Sequence, residues 1–156
     1  MSIYDFEQLM SQTRQLASQY REATGQSLPV TVELARFDAI TLLGLTELSD
    51  TETEALLIEN DQEKRVQIKG RVIFPGGKSR QRVGQLNLQS EWDYTLLVIY
   101  DADYQPSAIY RLAREIAEQE MASQTTNKRG AMTVAKFKAI GESVWERPEA
   151  KQSESL

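Results

Sequence analysis

Polar side chains that could do chemistry alternate with apolar ones in a short segment near the middle of the chain, Val-Gln-Ile-Lys-Gly-Arg at 66–71. Successive side chains of a β-strand point to opposite faces, so Gln67, Lys69 and Arg71 would share one face. The preceding run Ala-Leu-Leu-Ile-Glu at 55–59 is also strand-like, and Asn-Asp-Gln-Glu at 60–63 is typical of a turn. These segments predict a β-hairpin.

The length of the hairpin turn decides where Glu54 lies. An even-length turn places Glu54 on the face of Gln67 and Lys69. Glu54 then lies opposite Gln67 if the turn has two residues, and opposite Lys69 if it has four. An odd turn or a bulge would send Glu54 to the other face. We expect an even turn and one cleft, with Glu33, near the start of the preceding helix, or Asp38 close by.

A carboxylate, an amide oxygen and a lysine on one face suit magnesium-dependent phosphodiester hydrolysis. The metal polarises the scissile phosphate and lowers the pKa of a bound water. A lysine beside it can orient that water or stabilise the developing negative charge. Magnesium takes only one or two carboxylates and keeps several waters, so a small ligand set is sufficient. The predicted cofactor is magnesium or manganese, held by Glu54 and Gln67.

Composition excludes several other chemistries. The 156 residues include no cysteine and no histidine, which removes disulfides, thiol catalysis, histidine general bases and zinc sites built from these residues. The hydrophobic content of 40% and the charged content of 26% are ordinary for a globular chain. The length fits one domain.

Basic residues concentrate in two windows of an otherwise acidic chain with a net charge of -5. The windows 64–82 and 128–138 hold seven and four basic residues and no acid, which is eleven of the eighteen in the chain. This asymmetry predicts a positive surface for DNA, although a solvated charged hairpin would explain it equally well. The predicted nucleic-acid contacts are Arg65, Arg71, Lys78, Arg80, Arg82, Lys128 and Arg129.

The spacing of apolar residues divides the rest of the chain into elements. The predicted helices span 3–23, 30–44, about 112–122, and Thr133 to Trp145. The predicted strands beside the hairpin are 94–100, whose unbroken apolar run indicates burial on both faces, and 107–112. The predicted loops are 46–53, 75–81, 83–92 and 123–130.

Together these elements predict a single α/β domain over 1–147, with a central mixed β-sheet flanked by helices. It comprises the N-terminal helix, a core of about 30–112 and C-terminal helices over about 112–145, and a polar tail at 148–156 follows. No apolar run of 18 residues and no signal-peptide pattern is present, so we expect a cytoplasmic protein without a membrane span.

Glu54, followed after twelve residues by Gln67-Ile68-Lys69, resembles the PD-(D/E)XK nuclease superfamily, in its glutamine variant QxK. The similarity covers about residues 30–112 and implies the restriction-endonuclease-like fold. By this resemblance, Glu54 takes the place of the metal-binding aspartate, Gln67 is the second ligand and Lys69 is the catalytic lysine. Glu33 matches the accessory acid. The chain departs from the family in having Glu54 where aspartate is usual and a neutral Gln67.

The resemblance implies a metal-dependent DNA endonuclease acting in restriction, defence or repair. The alternative is a catalytically degenerate domain of the same fold that binds nucleic acid or a protein partner. A third interpretation is a protein-interaction domain without a nucleic-acid role. The expected partner is DNA, with a homodimer or a protein partner left open.

Overall fold

Two helices precede a run of six strands, and helices and strands alternate after it, in the computed structural model, which describes residues 3–48, 54–75, 81–123 and 131–148. The helices are α1 (Ile3–Thr24), α2 (Thr31–Leu43), α3 (Arg114–Ser123) and α4 (Val134–Ile140). The strands are β1 (Thr46–Glu47), β2 (Glu54–Glu59), β3 (Gln62–Val72), β4 (Arg82–Gln85), β5 (Tyr94–Tyr100), β6 (Pro106–Ala113), β7 (Ala131–Thr133) and β8 (Glu142–Glu146).

Six of these strands form one mixed sheet in the order β1-β2-β3-β5-β6-β8. The central pair β3 and β5 is parallel, and the other neighbours are antiparallel. The strands β4 and β7 pair separately as a two-stranded sheet. This architecture confirms the predicted α/β domain with a central mixed sheet flanked by helices.

The β2–β3 hairpin closes through a two-residue turn at Asn60 and Asp61, whose φ angles are 52° and 62°. Positive φ at both central residues is the mark of the turn type whose twist matches the strands that flank it, and Asn and Asp tolerate this conformation. The turn sets the register so that Glu54 lies opposite Gln67. Of the two even-length turns considered from the sequence, the structure has the shorter.

The helices α1 and α2 cover the first face of the sheet. Val66, Ile68 and Val72 of β3 pack there in one core cluster with residues of both helices. Gly70 lets α2 approach closely, because a Cβ placed on it would lie only 2.7 Å from the Cβ of Ala35. We refer to this side as the first face and to the opposite side as the second face.

On the second face, the helices α3 and α4 and the pair β4–β7 form another core cluster. Leu97 and Ile99 of β5 contribute to it, with Leu112 of β6 and Phe137 of α4. Because the alternate residues Leu96 and Val98 pack on the first face, β5 is buried on both sides. This burial confirms what the apolar run at 94–100 predicts.

The C-terminal segment differs from its prediction as one helix from Thr133 to Trp145. Thr133 does cap a helix, because its side chain accepts a hydrogen bond of 3.0 Å from the backbone N–H of Lys136. The helix ends at Ile140, and β8 begins at Glu142. Gly141 permits this switch, since a Cβ there would meet the carbonyl oxygens of Phe137 and Arg111 at 2.7 and 2.8 Å. The open edge of β6 supplies backbone hydrogen bonds that a longer helix could not reach.

Two segments predicted as loops contain short strands. Residues 82–85 form β4, because β7 supplies a pairing partner, and residues 46–47 form β1 beside β2. Residues 49–53, most of 75–81 and most of 123–130 lie outside the described residues. In the part of the chain that is described, no helix is long and apolar enough to cross a membrane.

Candidate functional site

Glu54, Gln67 and Lys69 lie on the second face of the sheet. Gln67 and Lys69 are two residues apart on β3, and Glu54 is the cross-strand partner of Gln67 on β2. Directly opposite residues of paired strands project to the same side, with Cβ atoms about 4.5–5.5 Å apart. The register expected from the sequence is therefore confirmed. Gln67 is buried, and its amide oxygen accepts a hydrogen bond of 3.2 Å from the hydroxyl of Thr95 on β5.

The carboxylate of Glu54 forms an ion pair with Arg65. The Nε of Arg65 donates to Oε2 of Glu54 at 2.9 Å, and a terminal nitrogen of the same guanidinium lies 2.8 Å from that oxygen. The Glu54 side chain is 13% exposed and the Arg65 side chain 38% exposed. Arg65 lies on the second face with Gln67 and Lys69, and it is the cationic residue that contacts the carboxylate.

Lys69 lies half-buried at this site. Burial lowers the pKa of its ammonium group, and the neighbouring positive charge of Arg71 lowers that pKa further. Among the residues that the structure describes, no hydrogen bond or ion pair compensates this charge. Groups whose pKa is perturbed by burial and by a neighbouring charge are enriched at functional sites.

Arg71, on the same face, has a structural role. Its guanidinium donates to three backbone carbonyls, those of Gly70 at 2.5 Å, Arg82 at 2.8 Å and Val83. The last two belong to β4, so Arg71 fastens β4 to β3. Burial lowers its pKa below the usual value of an arginine, but an arginine remains charged at neutral pH. These contacts leave the guanidinium already engaged rather than directed at a ligand.

Most of the other predicted nucleic-acid contacts fall outside the described residues. Arg82 is exposed on β4. Lys78, Arg80, Lys128 and Arg129 lie outside the described residues. The continuous positive surface over both basic windows therefore stays a prediction.

Glu33 and Asp38 do not share the face of Lys69, because both belong to α2, which packs on the first face. Glu33 is exposed in the first turn of this helix. Asp38 is buried, and its carboxylate accepts hydrogen bonds from Arg14 and, at 2.6 Å, from the hydroxyl of Tyr100. The structure thus brings together Glu54, Gln67 and Lys69 but neither candidate for the accessory acid.

Glu54 and Gln67 supply the oxygen donors that share this face. Across the described ranges, no group of three or more acidic side chains could hold a metal ion together. A carboxylate and an amide oxygen are nevertheless the hard ligands that magnesium and manganese prefer. Arg65 competes for Glu54, but partly exposed ion pairs contribute only about 0–1 kcal/mol and can open. The donor chemistry fits a magnesium ion once Arg65 has left the carboxylate.

An open cavity of about 470 Å³ adjoins this ion pair, with Leu56 and Arg65 in its wall. The rest of the lining is Glu63, Glu91, Trp92, Asp93 and Arg114. Asp93 also accepts a hydrogen bond of 2.8 Å from the backbone N–H of Arg65 and so helps to position that residue. Neither Asp93 nor the pairing of Arg65 with Glu54 is evident from local sequence patterns, because the first is 28 positions from Arg65 and the second depends on the length of the hairpin turn.

Trp92 is a packing residue next to this cavity. It is buried, its indole N–H donates to the carbonyl of Asn87 at 2.6 Å, and the guanidinium of Arg114 lies 4.8 Å from its ring centre. Trp92 thus forms a wall of the cavity while belonging to the second core cluster.

Comparison of the sequence with models of protein families finds no match, and a search of curated proteins finds none either. The resemblance to the PD-(D/E)XK superfamily therefore rests on the spacing of Glu54, Gln67 and Lys69.

Proposed function

We propose that the chain is a metal-dependent DNA endonuclease of the PD-(D/E)XK type. The observation that carries this proposal is the placement of Glu54 opposite Gln67, on the face where the ammonium of Lys69 lies half-buried. Each of these residues has a distinct chemical task in phosphodiester hydrolysis. The fold supports the proposal only at the level of a mixed sheet with helices on both faces.

Glu54 and Gln67 would hold the metal ion. Bound there, magnesium or manganese supplies a polarised phosphate and a water of lowered pKa. Thr95 holds the amide oxygen of Gln67 in place through its 3.2 Å hydrogen bond. A carbonyl oxygen has two lone pairs, so this bond leaves one available as a ligand.

Lys69 would bind and stabilise the phosphate. Its ammonium is partly removed from water, so its attraction to a phosphate oxygen is weakened less by solvent than that of an exposed lysine. Negative charge builds on those oxygens during hydrolysis, and a positioned cation lowers the energy of that state most. Because a nearby anion also favours the charged form of Lys69, DNA binding would reverse the decrease in its pKa.

A non-catalytic domain that binds nucleic acid or a protein is the second candidate. The specific observation in its favour is that the carboxylate of Glu54 is already neutralised by Arg65. Lys69 and Arg71 lie on the same face, so three cations accompany the single carboxylate of Glu54 on this part of β2 and β3, next to a cavity that Glu63, Glu91 and Asp93 line. Excess positive charge around Glu54 favours anions such as phosphate over a divalent cation.

Incubation of the pure protein with plasmid DNA and magnesium or manganese tests the proposal. We expect nicking or linearisation by the wild type and its loss in Lys69→Ala. Lys64→Ala is the matched control, because Lys64 lies on the same strand with its side chain on the opposite face. Binding without cleavage by the wild type with either metal would favour the second candidate. Cleavage that survives Lys69→Ala would contradict the assignment of this site.

A further inference from the structure

Helix α1 exposes a row of apolar side chains on its outer surface. Phe6 is 43% exposed, Leu9 42%, Leu16 57% and Tyr20 37%. With Thr13 in the middle, these residues follow steps of three, four, three and four, which place them within one narrow stripe of an α-helix. We call these five residues the α1 stripe.

The α1 stripe borders the side of the helix that packs into the domain, and Phe6 belongs to both. Arg14 and Ala17 are buried, and Met10 packs against the first core cluster. Within the domain, the ring of Phe6 contacts that of Phe37 on α2 at 5.4 Å between centroids. The helix therefore uses one side for its own core and still presents an apolar stripe to its surroundings.

The residues outside the described ranges include few that could cover this stripe. Their large apolar residues are Met1 and Leu156, and the stretches 49–53, 76–80, 124–130 and 149–156 are otherwise small or polar. These residues therefore offer no long apolar segment to pack on the α1 stripe.

The order of residues along the stripe bears on which polypeptide could pack against it. Aromatic, leucine, threonine, leucine, aromatic reads the same in both directions, from Phe6 to Tyr20. Two antiparallel copies related by a two-fold axis at Thr13 would set Phe6 against Tyr20 and Leu9 against Leu16. A two-fold interface uses one surface patch twice and so requires this kind of self-complementarity. We infer that the α1 stripe is a homodimer interface in which two α1 helices cross antiparallel at Thr13.

Charge at the border of the stripe is compatible with a second copy. The outer flank is formed by Asp5, Gln12 and Gln19, so it carries one formal charge, although the chain as a whole has a net charge of -5. Two acidic proteins repel each other least where their surfaces are nearly neutral. The small side chain of Thr13 at the crossing point would let the helix axes approach closely.

The size of the stripe indicates a weak dimer. The largest apolar patch on a typical monomer is roughly 300–600 Å². A standard interface buries about 800 Å² on each partner. One helix face supplies less than that, so the dimer should dissociate on dilution. This inference does not rest on the proposed nuclease activity.

Sedimentation velocity of the full chain over a wide range of concentration tests the inference. We expect the wild type to shift from monomer to dimer as its concentration rises, and Leu16→Glu to remain monomeric throughout. Gln15→Glu is the control, because it adds the same charge at the neighbouring position, which points away from the stripe, and it should still dimerise. Circular dichroism would verify that Leu16→Glu is folded, which we expect because Leu16 is exposed.

A disulfide experiment tests the geometry. The chain has no cysteine, so a single Thr13→Cys substitution can form a disulfide only between two copies. Mild oxidation should yield a covalent dimer of Thr13→Cys, whereas Gln15→Cys should stay largely monomeric. A wild type that is monomeric at every concentration, or a dimer that Leu16→Glu does not weaken, would overturn the inference. A dimer without the Thr13→Cys crosslink would overturn the antiparallel crossing.

Discussion

The Nε of Arg65 donates to one carboxylate oxygen of Glu54 at 2.9 Å, and a terminal nitrogen of the same guanidinium lies 2.8 Å from that oxygen. The ion pair joins a residue predicted to hold a metal to a residue predicted to contact DNA. Each partner must leave the other before it can do its proposed task. A DNA phosphate offers Arg65 an alternative anion, and a divalent ion offers Glu54 an alternative cation. Metal binding and DNA binding should therefore favour each other.

Removing the competing charge should strengthen metal binding in the absence of DNA. We expect Arg65→Gln to tighten the binding of Mn²⁺ by up to about fivefold, which corresponds to the ~1 kcal/mol upper range of a partly exposed ion pair. Titration of the free protein with Mn²⁺, followed by electron paramagnetic resonance, measures this. Adding Glu54→Gln to the same variant should abolish the gain. Equal Mn²⁺ affinity in wild type and Arg65→Gln would show that the ion pair does not control the site.

Lys69 should make the protein less stable at neutral pH than in alkaline solution. Burial lowers its pKa from 10.5 in the folded protein, so the unfolded chain binds the proton more tightly. The free energy of unfolding must then rise as the pH increases from the folded pKa towards 10.5. It decreases again as the pH falls and the buried amine takes up its proton. We expect Lys69→Met to raise the free energy of unfolding at neutral pH and to flatten this alkaline rise.

Urea unfolding at several pH values between neutral and alkaline measures the effect of Lys69→Met. Lys64→Met serves as its control, because Lys64 lies on the other face of the same strand. The control should keep the pH dependence of the wild type. If Lys69→Met is no more stable than the wild type at neutral pH, Lys69 is better solvated than its burial indicates.

The buried contacts of Asp38 should matter for stability. Its carboxylate accepts from Arg14 and Tyr100, and the Arg14 guanidinium also donates to the carbonyl of Tyr104 at 2.8 Å. Burial raises the pKa of the Tyr100 hydroxyl well above 10.0, so it remains a donor at any pH the fold survives. Asp38→Ala should cost about 3–5 kcal/mol, because it leaves a buried arginine unpaired.

Two further variants complete the Asp38 measurement by urea unfolding. Tyr100→Phe should cost less, about 1–3 kcal/mol, since it removes one hydrogen bond and keeps the ion pair. Glu47→Ala breaks the exposed ion pair with Arg36 at 2.7 Å and should change stability by less than about 1 kcal/mol. Similar losses in Asp38→Ala and Glu47→Ala would contradict a structural role for the buried pair.

Arg71→Ala should destabilise the attachment of β4. The substitution removes the donors to the carbonyls of Arg82 and Val83, and a hydrogen bond to a charged group contributes about 1.5–3 kcal/mol. Amide hydrogen exchange should accelerate selectively in β4 and β7. Arg82→Ala, which truncates an exposed side chain of the same strand, should leave that exchange unchanged. Uniform acceleration over the whole sheet would instead indicate a global loss of stability.

Elements whose side-chain periods are local properties could be predicted from the amino-acid sequence. The alternation around Gln67 and Lys69 and the apolar run at 94–100 each require one conformation and one degree of burial, so β3 and β5 could be predicted. The apolar spacing of α1 and α2 and the capping role of Thr133 are local in the same sense. Turn chemistry at Asn60 and Asp61 indicated a hairpin, but the turn length, and with it the register, stayed open between two residues, four residues and an odd number.

Other features depend on partners that are distant in the sequence, and these features became visible only in the folded chain. Val144 and Trp145 are compatible with a helix, but they belong to β8, which pairs with the edge of β6. The backbone N–H and C=O groups at that edge need partners, and a strand supplies them. Asp38 was a candidate for the accessory acid from its position in the sequence. In the structure its carboxylate accepts hydrogen bonds from Arg14 and Tyr100, which are 24 and 62 positions away. The pairing of Glu54 with Arg65 follows from the two-residue turn. Periodicity assigns a side chain to a face, whereas only the folded chain determines which groups meet there.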